Sequence, residues 1–180
     1  MFKRSSLATL LLLAGLLGLS PSGLASDEQK YQDQQDYIQE MLGELPVSQV
    51  YWLEETDKQV IEDILAHSFN KVRLRYWKIN KQSVWVLDEI GKEKPITVGI
   101  HINANQIENL RVLTYRESRG DEVRHSFFTD QFKQAKLDQE LALNQHIDGI
   151  TGATLSVRAL SKLARIALYL DQQTFKQAKP

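Results

Sequence analysis

The chain has 180 residues, of which 42% are hydrophobic and 25% are charged, and its formal net charge is −1. This composition excludes a disordered or collagen-like chain and is typical of one globular domain. The near-neutral charge excludes the positive field that attracts nucleic acid, so we expect no nucleic-acid partner. The absence of cysteine excludes disulfides, thiolate metal sites, a cysteine nucleophile and an acylated-cysteine anchor.

Residues 1–25 have the pattern of a secretory signal peptide. Lys3 and Arg4 precede an apolar run over residues 7–19, and small residues lead up to Ala25. As a helix this run would rise only about 20 Å, which is short of a hydrocarbon core roughly 30 Å thick. We therefore expect cleavage after Ala25 and export to the periplasm, with an uncleaved membrane anchor as the second interpretation.

The next part of the chain, residues 26–68, is predicted to be an N-terminal helical segment. Residues 26–41 are rich in Gln, Asp, Glu and Tyr and predict a polar helix that ends at Gly43. Residues 56–66 place apolar side chains at helical spacing and predict a second, shorter helix. We expect the main domain to occupy residues 69–180.

The centre of the chain predicts four β-strands, over residues 72–79, 84–90, 96–103 and 107–115. Apolar and polar residues alternate in the third strand, with Ile96, Val98, Ile100 and Ile102 on one face and Thr97, Gly99, His101 and Asn103 on the other. This alternation predicts a sheet with one buried and one polar face. The short connection between the third and fourth strands predicts an antiparallel hairpin.

Two helical elements are predicted after the strands. A loop through Gly120 leads to a short helix whose aromatic residues are expected to pack on the sheet; they are Phe127, Phe128 and Phe132. Residues 154–172 predict a long helix with one apolar side, formed by Leu155, Leu160, Leu163, Ala167 and Leu170. Because strands cluster and do not alternate with helices, we expect an α+β fold with a central antiparallel sheet, N-terminal helices and a long C-terminal helix.

Residues 146–156 form a loop with two glycines and three hydroxyls that runs directly into this long helix. Glycines allow close approach to the main chain, and free N–H groups at a helix start favour an anion such as phosphate. Helical geometry places Ser156 on the side of Leu160 and Leu163, while Thr154 aligns with Arg158. A simple helix cap at Thr151 or Thr154 is the alternative interpretation.

The nine residues Asp148-Gly149-Ile150-Thr151-Gly152-Ala153-Thr154-Leu155-Ser156 resemble the flavinylation motif of the FMN-binding domain family. That family includes the flavin-carrying subunits of the sodium-pumping NADH:quinone oxidoreductase and of the Rnf electron-transport complex. Upstream, the turn Glu117-Ser118-Arg119-Gly120 is similar to a second motif of the family. The resemblance implies that FMN is attached through its phosphate to Ser156, and that the other cofactor-binding residues are Asp148, Gly149, Thr151, Gly152, Ala153, Thr154, Leu155, Glu117 and Gly120.

The same resemblance implies how the chain is modified and what it does. A separate flavin transferase would use FAD as donor, with magnesium, and release AMP. The chain would then be an electron carrier and not an enzyme, and it would receive electrons from a membrane-bound redox donor. A module that binds FMN or another phosphate ligand without a covalent bond, and a structural or assembly subunit of a redox complex, are the alternatives.

Other residues carry weaker patterns. The four histidines show no metal-ligand spacing, so we expect no metal site. Trp52, Trp77 and Trp85 either stack on a flavin ring or pack within the sheet. No nucleophile elbow surrounds Ser156, which argues against a hydrolase.

Overall fold

The computed structural model of the chain describes residues 22–177. The predicted signal peptide, residues 1–25, lies outside the described residues except for residues 22–25. Within residues 22–177, none of the helices combines the length and the hydrophobicity that crossing a membrane requires.

The core of the fold is an antiparallel sheet of five strands that lie side by side in chain order. They are β1 (Gln49–Trp52), β2 (Arg73–Ile79), β3 (Gln82–Ile90), β4 (Pro95–Asn103) and β5 (Gln106–Thr114). The four predicted strands are confirmed as β2 to β5, each to within two residues of its predicted bounds. The edge strand β1 was not predicted, because its four residues are too few to show an alternating pattern.

The helices lie on both faces of this sheet. They are α1 (Ser22–Leu42), α2 (Glu55–Leu65), α3 (Ser126–Thr129) and α4 (Thr154–Gln177). Gly43 ends α1 as predicted, since it has a φ of 79° and its N–H donates to the Gln39 carbonyl at 2.9 Å. With the antiparallel sheet and the long C-terminal helix α4, these elements confirm the α+β class.

Both faces of the sheet are buried at its centre, so the prediction of one polar face is wrong. On the α4 side, the four isoleucine and valine side chains of β4 are fully buried. On the other side, Tyr37 and Ile38 of α1 pack with Trp77 and Val84. Gly99 lies directly beneath the Tyr37 ring, and a Cβ there would overlap the ring. Gly99 was predicted to lie on a polar face, but its lack of a side chain leaves the space that the Tyr37 ring occupies.

Residues 26–68 contribute directly to this sheet. Strand β1 pairs with β2, and the buried carboxylate of Asp57 in α2 accepts hydrogen bonds from Tyr51 at 3.0 Å and from Tyr169 at 2.9 Å. One carboxylate therefore joins α2 to both β1 and α4. The proposed boundary at residue 69 remains a prediction.

The connections after β4 follow the predictions in part. Ala104 and Asn105 both have positive φ, at 48° and 64°, and form the predicted tight hairpin between β4 and β5. In the region of α3, Phe128 and Phe132 are fully buried with ring centroids 5.6 Å apart. Phe127 is 63% exposed, so its predicted packing on the sheet is wrong. A helix of four residues buries only one side, and Phe127 lies on the other.

Candidate functional site

A cleft of about 620 Å³ opens at one end of the sheet, where three segments meet. They are the turn between β3 and β4, the loop after β5, and the start of α4. The lining residues are Lys92, Glu93, Glu117, Ser118, Arg119, Gly152, Ala153, Thr154, Leu155 and Ser156. This volume lies within the range of about 300–1,000 Å³ that is usual for small-molecule sites.

The cleft brings together some of the predicted site residues and leaves others out. Glu117 and the segment 152–156 line it. The predicted residues that are not among its lining are Asp148, Gly149, Thr151 and Gly120. Asp148 is exposed, with Oδ1 at 3.5 Å from Nε2 of His146, and its backbone N–H donates to Gln131 at 2.7 Å. These contacts hold the loop that leads to α4.

The start of α4 presents backbone N–H groups to the cleft. Gly152 adopts a φ of 85°, a conformation that favours glycine, and turns the chain into the helix. The next residue, Ala153, donates its N–H to Ile150 and accepts that of Val157, both at 3.0 Å. The amides of the first helical turn that follow have no intrahelical acceptor, and the helix dipole makes this end attractive to an anion.

Glu117 shapes the cleft by holding the β3–β4 turn. Its Oε1 atom accepts the backbone N–H groups of Lys92 at 2.5 Å, Glu93 at 2.7 Å and Lys94 at 3.0 Å. These bonds, first those from Lys94 and Glu93, lower the pKa of Glu117 below its ordinary value. A Cβ at Gly91 would lie 2.9 Å from the same oxygen, so a larger residue there would displace the Glu117 carboxylate from its present position. The structure therefore assigns Glu117 a role in positioning one wall of the cleft.

Tyr115 joins the loop after β5 to α4. Its hydroxyl donates to the Arg119 carbonyl at 2.6 Å and lies 3.1 Å from Ser156 Oγ. Since the Tyr115 hydroxyl has one proton and donates it to the Arg119 carbonyl, the Ser156 hydroxyl is the donor in the second bond. Gly120, with a φ of 83°, fits tightly behind this group, because a Cβ there would lie 3.0 Å from the Tyr115 hydroxyl and 3.1 Å from Ala153 Cβ. Burial raises the pKa of Tyr115, so the hydroxyl stays protonated.

The two hydroxyls of the first turn of α4 differ in exposure. Ser156 is only 5% exposed and lies on the side of buried Leu160 and Leu163, as helical geometry predicted. Thr154 is exposed, and its hydroxyl has no hydrogen-bond partner within residues 22–177. Leu155 was predicted on the buried side but is 44% exposed and lines the cleft, so that prediction is wrong. At 100° per residue Leu155 lies about 140° around the helix from Leu160, so it faces away from the core although its neighbour Ser156 is buried.

Four residues that line the cleft were not predicted from the sequence, namely Lys92, Glu93, Ser118 and Arg119. Lys92 and Arg119 bring positive charge to the cleft, although Lys92 also pairs with Glu93 at 3.5 Å. The Gly91-Lys92 turn and the Glu117 to Gly120 turn were both visible in the sequence. Their contact was not, because it depends on how β3 and β5 are placed on either side of β4.

None of the tryptophans lines the cleft. Trp85 is fully buried and stacks on Tyr76, with centroids 4.7 Å apart and an angle of 9° between the rings. Of the two interpretations of these residues, packing within the sheet applies to Trp85 and Trp77. In the described part of the chain, no group of three or more His, Cys, Asp or Glu side chains is arranged to hold a metal ion.

The chemistry of the cleft fits a ligand that has both a phosphate and a large apolar portion. The first-turn amides of α4, the Thr154 hydroxyl and Arg119 suit the phosphate, and exposed Leu155 offers an apolar surface. Residues 91–169 match the model of the FMN-binding domain family, and every residue that lines the cleft lies within this match. Among curated proteins no match is found. Residues 91–169 are therefore similar to an FMN-binding domain, and this similarity supports FMN as the ligand of the cleft.

Proposed function

We propose that the chain is an exported electron carrier whose FMN is joined through its phosphate to a hydroxyl group of the cleft. The observation that carries this proposal is the position of Thr154 and Ser156, two residues that line the cleft at the helix end where free amides favour phosphate. FMN supplies one- or two-electron chemistry, and neighbouring charges, hydrogen bonds and burial tune it.

Different residues of the cleft would contact different parts of this cofactor. The amides at the start of α4 and the charge of Arg119 would neutralise the phosphate. Leu155, 44% exposed, would cover part of the flavin ring. Glu117 keeps the β3–β4 turn in place through its three hydrogen bonds and so maintains the opposite wall.

Ser156 is the attachment residue that the resemblance to the flavinylation motif implies. Its position supports this in one respect, since Ser156 is among the residues that line the cleft. It is also 5% exposed and bonded to Tyr115 at 3.1 Å, so the hydroxyl must leave that bond before it is esterified. Attachment at Ser156 therefore predicts a local rearrangement of the first turn of α4.

Thr154 is a second candidate, and its exposure favours it. Thr154 lines the same cleft two residues earlier, and its hydroxyl makes no hydrogen bond to any group that the structure describes. A transferase would reach it without disturbing the Tyr115 contact. The two residues give different outcomes in the experiment described below.

The attachment step would replace a phosphoanhydride bond of FAD with a phosphate ester to the chain. The hydroxyl oxygen of the chain forms a bond to the FMN phosphorus of FAD, the pyrophosphate P–O bond breaks, and AMP leaves with the bonding electrons. The hydroxyl proton is lost to solvent or to a base of the transferase. No oxidation state changes, so the only partners required are FAD, magnesium and the transferase.

Intact mass after co-production with a flavin transferase tests the proposal. Covalent FMN adds roughly 438 Da, one FMN less a water, and leaves a fluorescent band on a denaturing gel. Three alanine variants are compared, Ser156→Ala, Thr154→Ala and Thr151→Ala. Thr151 is the matched control, because it is an exposed hydroxyl of the same loop that does not line the cleft.

The variants separate the candidates. Loss of the added mass in Ser156→Ala alone assigns the ester to Ser156, and loss in Thr154→Ala alone assigns it to Thr154. A wild-type chain that is yellow when native but gains no mass would be a non-covalent FMN module. A colourless chain that gains no mass would be a structural or assembly subunit, and the proposed carrier function would be wrong.

The proposed location and redox role need separate measurements. Export predicts that the protein from the periplasmic fraction begins at Ser26, which N-terminal sequencing reads directly. Retention of residues 1–25 in the membrane fraction would instead support the uncleaved anchor. An electron carrier should be reduced by membranes that contain its donor and reoxidised by an added acceptor, with no net conversion of a small-molecule substrate.

A further inference from the structure

A second groove, of about 350 Å³, lies on the face of the sheet that α1 covers only in part. Four basic side chains line it, from α1, from the segment before β2, and from β2 itself. They are Lys30, Lys71, Arg73 and Arg75. The whole chain has a net charge near zero, so the fold concentrates positive charge here that the composition does not reveal.

These four cations have no acidic partner among the side chains that the structure describes. None of them forms an ion pair there. The single acidic residue among the groove lining is Asp88, and its Oδ1 atom accepts the Thr97 hydroxyl at 2.6 Å. A surface with unpaired cations of this density attracts a partner that is rich in negative charge.

Exposed apolar side chains stand beside the cations on the same face. Trp52 is 62% exposed and Val50 is 43% exposed. In the sheet register Val50 lies opposite Arg75 and Trp52 lies opposite Arg73, whose guanidinium is 5.5 Å from the Trp52 ring centre. Each of these two exposed apolar residues of the edge strand is therefore paired with an arginine. We call this surface, formed by Lys30, Lys71, Arg73, Arg75, Val50 and Trp52, the cationic face.

We propose that the cationic face docks on the surface of an anionic phospholipid bilayer. Lysine and arginine side chains bind the headgroup phosphates, while tryptophan beside them occupies the interfacial depth at which its ring has both apolar and polar surroundings. An acidic protein would match the charge equally well. The exposed Trp52 and Val50, interleaved with the arginines, favour lipid, because an interface of charge pairs alone would not need them.

The position of this face relative to the flavin cleft gives the docking a consequence. Three features lie at the same end of the antiparallel sheet: the last residue of β1, the first residue of β2 and the turn between β3 and β4. Trp52, Arg73 and the cleft residue Lys92 are therefore at one end of the molecule. A protein docked through this end of the cationic face holds the β3–β4 turn, which is one wall of the cleft, on the bilayer side of the molecule. The docking itself does not depend on covalent FMN or on an electron-carrier role.

Vesicle binding tests the proposal with the purified, exported protein. We expect sedimentation with vesicles of phosphatidylcholine and phosphatidylglycerol, and none with phosphatidylcholine alone. Each basic residue near such a surface contributes about fivefold in affinity, so Arg73→Gln with Arg75→Gln should weaken binding roughly 25-fold. Raising the salt to about 1 M shortens the Debye length to roughly 3 Å and should release the protein.

A matched control removes the same charge elsewhere. Lys81→Gln with Lys136→Gln changes two exposed cations outside the groove and should leave binding unchanged. Lipids with brominated chains should quench Trp52, since Trp77 and Trp85 are 7% and 0% exposed, and Trp52→Phe should abolish that quenching. Unchanged thermal melts would show that the variants are folded.

Three outcomes would overturn the inference. Equal binding to neutral and anionic vesicles would remove the role of charge. Equal loss in the control pair would show that net charge matters and the cationic face does not. Tight binding to polyglutamate with no binding to vesicles would identify the partner as an acidic polypeptide.

Discussion

The hydroxyl oxygens of Tyr115 and Ser156 lie 3.1 Å apart, and this contact joins the loop after β5 to the first turn of α4. The same tyrosine hydroxyl donates to the Arg119 carbonyl at 2.6 Å. One side chain therefore holds both the segment that carries Arg119 and the helix end that carries the candidate attachment residues. The geometry of the cleft depends on this connection.

Tyr115→Phe should lower both stability and FMN loading. The substitution removes two hydrogen bonds and leaves the part-buried Ser156 hydroxyl without its partner, at a cost of about 1–3 kcal/mol in the free energy of unfolding. Urea unfolding and the ratio of flavin to protein absorbance measure the two effects. Tyr76→Phe is the control, because it removes one tyrosine hydrogen bond, to Gln49, away from the cleft. Equal flavin loading in both variants would contradict the positioning role of Tyr115.

Glu117→Gln should remove part of the acid sensitivity of the protein. The pKa of Glu117 is lowered from its ordinary value of 4.5 in the folded state, so the unfolded chain takes up the proton first as the pH falls. Its contribution to stability is therefore present above the ordinary value and is lost as the pH falls through the folded pKa. Urea unfolding from pH 6 down to about pH 3 should show a smaller decline for Glu117→Gln than for the wild type. Parallel declines would contradict the prediction.

Gly99→Ala should destabilise the packing of α1 on the sheet. The new Cβ would overlap the Tyr37 ring, and overpacking of this kind costs about 1–3 kcal/mol. Tyr37→Leu in the same chain makes room for the methyl group, so the double variant should lose less than the sum of the two single losses. Chemical denaturation of the four proteins measures this coupling. Strict additivity would show that the ring and the glycine do not interact.

The free energy of unfolding of Asp171→Asn, compared with that of the wild type, should increase as the pH rises. Asp171 is fully buried in α4, its Oδ1 accepts the Ser83 hydroxyl at 2.5 Å, and Oδ2 has no partner within the described residues. Burial raises its pKa above the ordinary value of 3.8, so the folded state keeps the proton to higher pH than the unfolded state does. The wild type therefore loses stability as the pH rises from 3.8 through the raised pKa.

The asparagine variant does not titrate, so the difference in unfolding free energy between variant and wild type should grow in favour of the variant over that interval. Thermal or urea unfolding at several pH values measures it. Asp138→Asn, in an exposed turn, is the control and should show no such trend. A constant difference across the pH range would mean that Asp171 does not carry a raised pKa.

Much of the fold followed from local patterns in the sequence. Strands β2 to β5 were predicted to within two residues because each alternates or is strongly apolar over seven to nine residues. The end of α1 at Gly43 and the hairpin at Ala104 and Asn105 were also predicted, since both depend on residues that adopt positive φ. These features are set by a few neighbouring residues, and no distant contact changes them.

One error arose where a distant element decides the environment of a residue. Gly99 and His101 indicated an exposed face, yet α1 covers them, because the ring of Tyr37 needs the space that Gly99 leaves. The error at Leu155 has a local cause. Its apolar character placed it in the core, but it lies about 140° around the helix from Leu160, while Ser156 and Val157 of the same turn are buried.

The sequence by itself determined the α+β class, the glycine-rich entry into α4 and the resemblance that names FMN, because these depend on short runs of residues and on backbone preferences. Only the tertiary structure decided that Lys92 and Arg119 meet the start of α4, that Tyr115 holds Ser156, and that four unpaired cations gather beside Trp52. Such groupings join residues from separate strands and turns, and their proximity is fixed by strand order and register, which no local pattern of residues encodes.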